Sequence, residues 1–332
     1  MYLSAGTERL ITISQTFRIV EQYPINVRLF KMYEPFSVGE FTVKPYLMCH
    51  SAFDAAAFEI TAAGKTVIYS GDFRGHGRKA KCLDSFIRQA KKQADVLFTE
   101  GSMVSRSDEL TITEDELELV AVEEMKKQSG ITLVQSSSQN IDRLVSFYRA
   151  ALRLGKTFVA DVYTANILHE LNALGNKIPC PSYDKLKVFY PRRFTQKLFD
   201  EIGEDYARRF AKYRISREQV AEQQNDIVMT VRPSMKSDLE RCNLSGGVFI
   251  YSMWQGYRDS DYQKKFEAWL TERGIRNVSL HTSGHAKVAD IRRLIDGLEP
   301  KTIVPIHTMQ PTAFREYSDK VVLRDDGVAF EI

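Results

Sequence analysis

The chain contains six histidines: His50, His76, His169, His281, His285 and His307. Three fall where a predicted strand gives way to a loop. His50 follows Phe41–Met48, His285 lies just past Asn277–His281, and His307 ends Thr302–Ile306. Asp72, in YSGDFRGHG, also sits just past a strand, among glycines that allow a tight turn and close approach to an ion. A sheet fixes the backbone while its loops expose side chains, so strand ends commonly hold active-site groups. Imidazole and carboxylate are the ligands of zinc and manganese sites. A single strand-end histidine is more often a hydrogen-bonding residue. Three of them with one aspartate are more suggestive, but periodicity alone does not bring them together.

The elements that would position these groups alternate between strand and helix. Phe41–Met48, Ala56–Thr61 and Lys65–Ser70 read as strands, Leu83–Ala94 as a helix, and Asp95–Glu100 as a short buried strand. A capping box at Thr113 and Glu116 opens a helix to about Lys127. Ile131–Gln135 is a strand leading through SSSQN into a helix near Ile141–Leu154, and Lys156–Asp161 is a strand before a helix from about Thr164. The stretch Tyr190–Gln224 reads as helical, aromatic and charged. Val248–Met253 (strand), Tyr262–Arg273 (helix), Asn277–His281 (strand), Val288–Leu298 (helix) and Thr302–His307 (strand) complete the series. This alternation implies an α/β chain, with a largely parallel sheet in the series that begins at Thr113. Two similar ends around a different middle imply one domain inserted in another.

With 332 residues, 43% hydrophobic and 27% charged, the composition is that of a soluble globular chain of one large or two medium domains. The net charge of +3 neither requires nor excludes nucleic acid, because phosphate binding depends on local charge. Cys49, Cys82, Cys180 and Cys242 form no CxxC pair, so neither a zinc knuckle nor a disulfide framework is expected and a reduced, cytoplasmic setting follows. No apolar run approaches the roughly 18 residues of a membrane span, and the opening residues do not read as a signal peptide.

CHSAFDAAAFEI, YSGDFRGHG and LFTEGSMVSR, followed much later by HTSGHA and LIDGLEPKTIVPIHT, resemble in order the motifs of the β-CASP nucleases, ribonuclease J above all. The resemblance covers nearly the whole chain and is weakest between about Tyr183 and Leu244. It implies a metallo-β-lactamase (αββα) fold, residues 1–102 and 278–332, interrupted by an inserted β-CASP α/β domain, residues 103–277. It implies His50, Asp72 and His307 as metal ligands, with Asp72 the bridging carboxylate. It further implies His285 as the group that assists protonation of the leaving oxygen, with Glu100 orienting it. The complete family site holds two divalent ions, zinc or manganese, about 3.5–4 Å apart, which share a hydroxide that attacks phosphorus. Ser136, Ser138, Asn140, Ser283 and Gly284 are implied as contacts for the 5′ phosphate of single-stranded RNA.

One departure stands out. The HxHxDH motif that supplies four further family ligands is absent from these 332 residues. The resemblance therefore implies one ion or none in this chain. Two readings remain open: a metal-dependent ribonuclease whose recorded start is too late, and a non-catalytic RNA-binding or partner subunit. The first expects about 60–100 further upstream codons that encode the motif. Homodimerisation stays open, since the family's usual C-terminal domain is not among these residues.

Other residues carry alternatives. Cys49 is a weak soft ligand or a buried small residue. Asn140 or Ser138 is an ordinary helix N-cap as readily as a phosphate contact. Trp254, Tyr257 and Arg258 either stack on bases or pack in an interface. Pro191–Arg193 with Lys197 is a basic edge for an RNA backbone or a solvated charged face. His76 reads as loop-structuring, His169 as a helix residue, and His281 as either a strand end or part of the phosphate pocket.

Overall fold

The computed structural model describes residues 1–17, 26–106 and 111–332. They divide into two compact units, one formed by Met1–Glu8, Ile25–Thr113 and Ser283–Ile332, the other by Arg9–Pro24 and Glu114–Thr282. Both are α/β. No described helix is long and apolar enough to cross a membrane.

The first unit is built on a mixed six-stranded sheet. Its strands run, edge to edge, Ile303–Ile306, Val96–Glu100, Lys65–Tyr69, Ala56–Ala62, Phe41–Leu47 and Phe36–Val38. The first three are parallel neighbours and the remaining pairs are antiparallel. Phe41–Leu47 is thus antiparallel to an antiparallel neighbour of Lys65–Tyr69, and four strands point the same way. Residues that follow their C-terminal ends are delivered to one end of the sheet.

Burial follows the expected periods. Along Lys65–Tyr69, Thr66 and Ile68 are buried between more exposed neighbours. The helix Val288–Leu298 buries Ile291, Leu294, Ile295 and Leu298, one stripe at i, i+3, i+4 and i+7. Each such side chain contributes about 1.5–3 kcal/mol. These residues share a core with Leu83 and Phe86 of the helix Lys81–Gln89 and with Tyr46, Ile68, Leu97 and Ile303 of the sheet. Gly297 lets the two helices approach closely. A Cβ there would stand 2.5 Å from Ile87 Cγ2.

The second unit carries a six-stranded, wholly parallel sheet in the order Leu186–Phe189, Thr157–Asp161, Ile227–Thr230, Ile131–Gln135, Gly247–Tyr251 and Ile275–Ser279. Three of these strands are buried at every residue, as both faces of a parallel sheet are normally covered. The expected strand at Asn277–His281 is displaced to Ile275–Ser279. Its register is set by pairing Gly247 with Ile275 and Tyr251 with Ser279, which leaves His281 beyond the strand. The Tyr190–Gln224 stretch is not one helical run but three short helices, Arg192–Glu201, Glu204–Ala207 and Arg217–Glu222. Gly203, at positive φ, separates the first two.

A fully buried ion pair pins the helix Ile141–Arg153 within this unit. Arg143 donates from Nε and Nη2 to the Glu114 carboxylate at 3.1–3.2 Å, and both side chains are 0% exposed. The remaining donors reach Ser252 O, Ser252 Oγ and Thr282 O. Removing one member of such a pair strands the other charge in the interior. Arg143→Met should lower the unfolding free energy by about 3–5 kcal/mol, while Arg143→Met with Glu114→Leu should recover most of the loss. Denaturation followed by circular dichroism checks this. A loss below about 1 kcal/mol for the single variant would show that the pair does not anchor the helix.

Candidate metal and hydrolase site

At the C-terminal end of the mixed sheet, Asp72, Glu100, His285 and His307 gather so that one ligand atom from each lies within 4.8 Å of the others. Topology accounts for this. Glu100 ends Val96–Glu100, His307 follows Ile306, which pairs with Glu100 in parallel register, and Asp72 lies three residues past Tyr69. His285 comes from the loop before the helix Val288–Leu298.

Glu100 is completely buried. Its Oε1 accepts from the backbone N–H of Phe73 at 2.8 Å and of Ala286 at 3.3 Å. Its Oε2 lies 3.1 Å from His285 Nδ1 and 3.4 Å from the Ser102 N–H. A carboxylate held by this many donors orients its neighbours and has little capacity left for a metal ion. His307 Nδ1 lies 2.9 Å from Asp72 Oδ1 and 3.1 Å from Ser102 Oγ. Its backbone is left-handed, at φ +49°, a conformation uncommon for a residue with a side chain.

His50 is not in the tight group of four, but its ring centroid lies 5.0 Å from that of His285. Its Nδ1–H donates to Gly284 O at 2.5 Å, which leaves Nε2 with the lone pair, and Ser51 Oγ stands 3.4 Å from it. A backbone carbonyl that fixes one ring nitrogen is the usual way a metal-binding histidine is oriented. Gly284 is required for this approach, because a Cβ there would lie 2.5 Å from Ser51 Oγ and 3.3 Å from His50 Cε1.

Arg74 and Ser102, not singled out from the sequence, complete the frame together with His76 and Ser283. Arg74 is fully buried, and its Nη1 donates to Ser283 O at 3.1 Å. His76 Nε2 donates to the same carbonyl at 2.8 Å. Ser283 is itself buried, with its hydroxyl accepting from the His285 N–H and lying against Met103 Sδ. Ser102 also donates to His307 O. The signal for Ser102 was its place two residues past Glu100. For the buried Arg74 the sequence offered none. Cys49 is buried among core residues, and His169 packs edge-on to Phe210.

In the second unit, the other expected phosphate contacts lie beyond the strand Ile131–Gln135. Asn140 caps the helix Ile141–Arg153 by accepting from the Arg143 N–H. Ser138 Oγ lies 2.8 Å from Thr164 Oγ1 and accepts from Arg232 Nη2 at 3.2 Å, whereas Ser136 Oγ is buried with no hydrogen-bond partner among the described residues. Ser136 and Ser138, but not Asn140, border a cavity of about 340 Å³. Trp254 and Tyr257 are 46% and 63% exposed, ring edge to ring face, while Arg258 is paired with Glu267.

Electrostatics separates the titrating groups. Burial opposes the charged form of His285, but the hydrogen bond and charge of Glu100, with Asp72 behind it, outweigh burial and raise its pKa above 6.5. Burial likewise opposes ionised Glu100, and His285 with the Phe73 and Ala286 N–H groups brings it below the ordinary carboxylate value. Burial, reinforced by His285, lowers His50. The His285 contribution to stability is therefore fully present below about pH 6.5 and is lost as pH rises through its raised value. The Glu100 contribution is present above about pH 4.3 and is lost as pH falls through its lowered value. In metal-free protein, the His285 ring should titrate above the ordinary imidazole range, and Glu100→Gln should move it down. A histidine NMR titration reads both, and a His285 value unmoved by the substitution would remove Glu100 as its partner.

Imidazole nitrogens and carboxylate oxygens suit zinc or manganese, and the described cluster fits such an ion. Of the comparisons with known proteins, the family match over residues 261–320 agrees with that chemistry. No curated protein matches the chain. Among solved structures it is similar to the crystal structure of a protein of unknown function from Enterococcus faecalis V583, with 20% sequence identity and a TM-score of 0.74 over 98% of this chain and 74% of that one. This likeness shows the α/β fold. Residues 261–320, which include His285 and His307, match RMMBL, the Zn-dependent metallo-hydrolase RNA specificity domain. That match supports a hydrolase of the metallo-β-lactamase family, with a divalent metal and RNA specificity.

Proposed function

We propose that this protein is a cytoplasmic, RNA-directed phosphodiester hydrolase of the β-CASP, ribonuclease J-like kind, with residues 103–277 as its β-CASP domain. The observation that supports it most is the pairing of His285 with buried Glu100 beside Asp72 and His307. His50 through Nε2, Asp72 and His307 would hold a zinc or manganese ion. When bound, that ion supplies Lewis-acid stabilisation of a phosphoryl oxygen and lowers the pKa of its water. His285, whose cationic form Glu100 favours, would give up a proton to the leaving oxygen. In the same reading, Ser136, Ser138 and Asn140 of the second unit and Ser283 and Gly284 of the first contact RNA phosphate.

One observation favours a second reading, a non-catalytic RNA-binding or partner subunit. His50, Asp72 and His307 amount to one ion's ligands rather than two, because the oxygens of Glu100 are already taken up by N–H donors, His285 among them. The sequence given should therefore retain at most one ion per chain and cleave 5′-phosphorylated RNA slowly. Asp72→Asn should abolish retention, and Ser102→Ala should weaken it by about 10-fold through loss of the His307 contact. Metal analysis after dialysis, with RNA cleavage and RNA binding measured alongside, tests the two readings. Two retained ions with fast turnover would overturn the one-ion account. RNA binding without metal or cleavage selects the binding subunit, and no RNA binding at all ends both.

A further inference from the structure

The part of the chain with the weakest family resemblance contains a cavity of about 460 Å³, bordered wholly by residues of the second unit. It lies beyond the C-terminal end of the edge strand Leu186–Phe189. Four arginines line it, Arg192, Arg208, Arg214 and Arg217, against one carboxylate, Glu218. Arg208 is paired with Glu204, and Arg217 Nη2 with Asp238 at 2.5 Å. Arg217 Nε is buried without a hydrogen-bond acceptor among the described residues. The guanidinium groups of Arg192 and Arg214 have no paired acceptor among the described residues.

Two further observations narrow the ligand. The helix Arg192–Glu201 begins with two arginines and no acidic residue in its first turn, which opposes its macrodipole. An anion in the cavity would relieve that conflict. Phe199, on the cavity wall, is 36% exposed, and the Arg208 guanidinium lies 5.7 Å from its ring centroid. An exposed aromatic face beside arginines suits a base joined to a phosphate. The volume falls within the range of small-molecule sites.

From this geometry we infer a nucleotide-binding site in the second unit, with the arginines on the phosphate and Phe199 on the base. Its residues are separate from the Asp72–His307 cluster, so it stands or falls independently of the proposed hydrolase function. The ligand is either a free nucleotide or a nucleotide within an RNA strand. Calorimetric titration of the full chain with AMP, inorganic phosphate and adenosine tests the inference. One AMP should bind per chain, phosphate more weakly and adenosine most weakly. Arg192→Ala and Arg214→Ala should each weaken AMP by about tenfold or more, with unchanged melting temperatures. Asp72→Asn should leave AMP affinity unchanged, which separates this site from the hydrolase cluster. Displacement of AMP by a 5′-phosphorylated RNA tetranucleotide at lower concentration identifies the strand as the source, and failure to displace it identifies the free nucleotide. Absence of saturable AMP binding, equal affinity for AMP and phosphate, or indifference to both arginine substitutions overturns the assignment.

Discussion

The first unit is organised by the need to satisfy one buried carboxylate. Glu100 has no solvent, so each oxygen must find donors inside the protein. It takes them from Phe73, Ser102, His285 and Ala286, which belong to three separate loops. The same hydrogen bonds that meet the desolvation requirement also set where Asp72, His285 and His307 stand. Stability and site geometry are here one set of contacts. The left-handed backbone of His307 fits this view, since strain of that kind persists where the surroundings over-determine a residue.

The second unit meets the corresponding problem with an ion pair. Arg143 and Glu114 are both buried, and the arginine's remaining donors close on carbonyls and a hydroxyl. Arg143 ends the serine-rich segment whose hydroxyls suggested phosphate. The segment thus combines interior anchoring by Arg143 and helix capping by Asn140, with the Ser138 hydroxyl held by Thr164 and Arg232 and the Ser136 hydroxyl buried.

The sequence was most legible where elements are amphipathic. The helix Val288–Leu298 has the bounds its apolar stripe implied, and the strand-end positions of His50, Asp72, Glu100 and His307 could be read from alternation and turn residues. It was least legible in the parallel sheet. Ile227–Thr230 is four residues long and buried throughout, so it shows neither alternation nor length, and it was not anticipated. The shift of Asn277–His281 to Ile275–Ser279 was likewise invisible, because register is a property of two strands and not of one. In the candidate site, residue types announced the ligands. The supporting shell of Arg74, Ser102 and the Ser283 carbonyl depends on contacts across about two hundred residues, such as the 205 separating Ser102 from His307.

The pairing of Val96–Glu100 with Ile303–Ile306 has a consequence for biosynthesis. A ribosome delivers Val96–Glu100 long before its parallel neighbour exists. The second unit, largely contiguous from Glu114 to Thr282, can condense during that interval, as domains do when they emerge in order. The nascent first unit meanwhile presents an open strand edge, with Glu100 lacking His285 and Ala286, in the form most prone to intermolecular pairing. Assembly of the histidine–carboxylate cluster is therefore a late event on the ribosome. Its yield depends on how long that edge must wait, and slow translation between Thr113 and Ser283 lengthens the exposure.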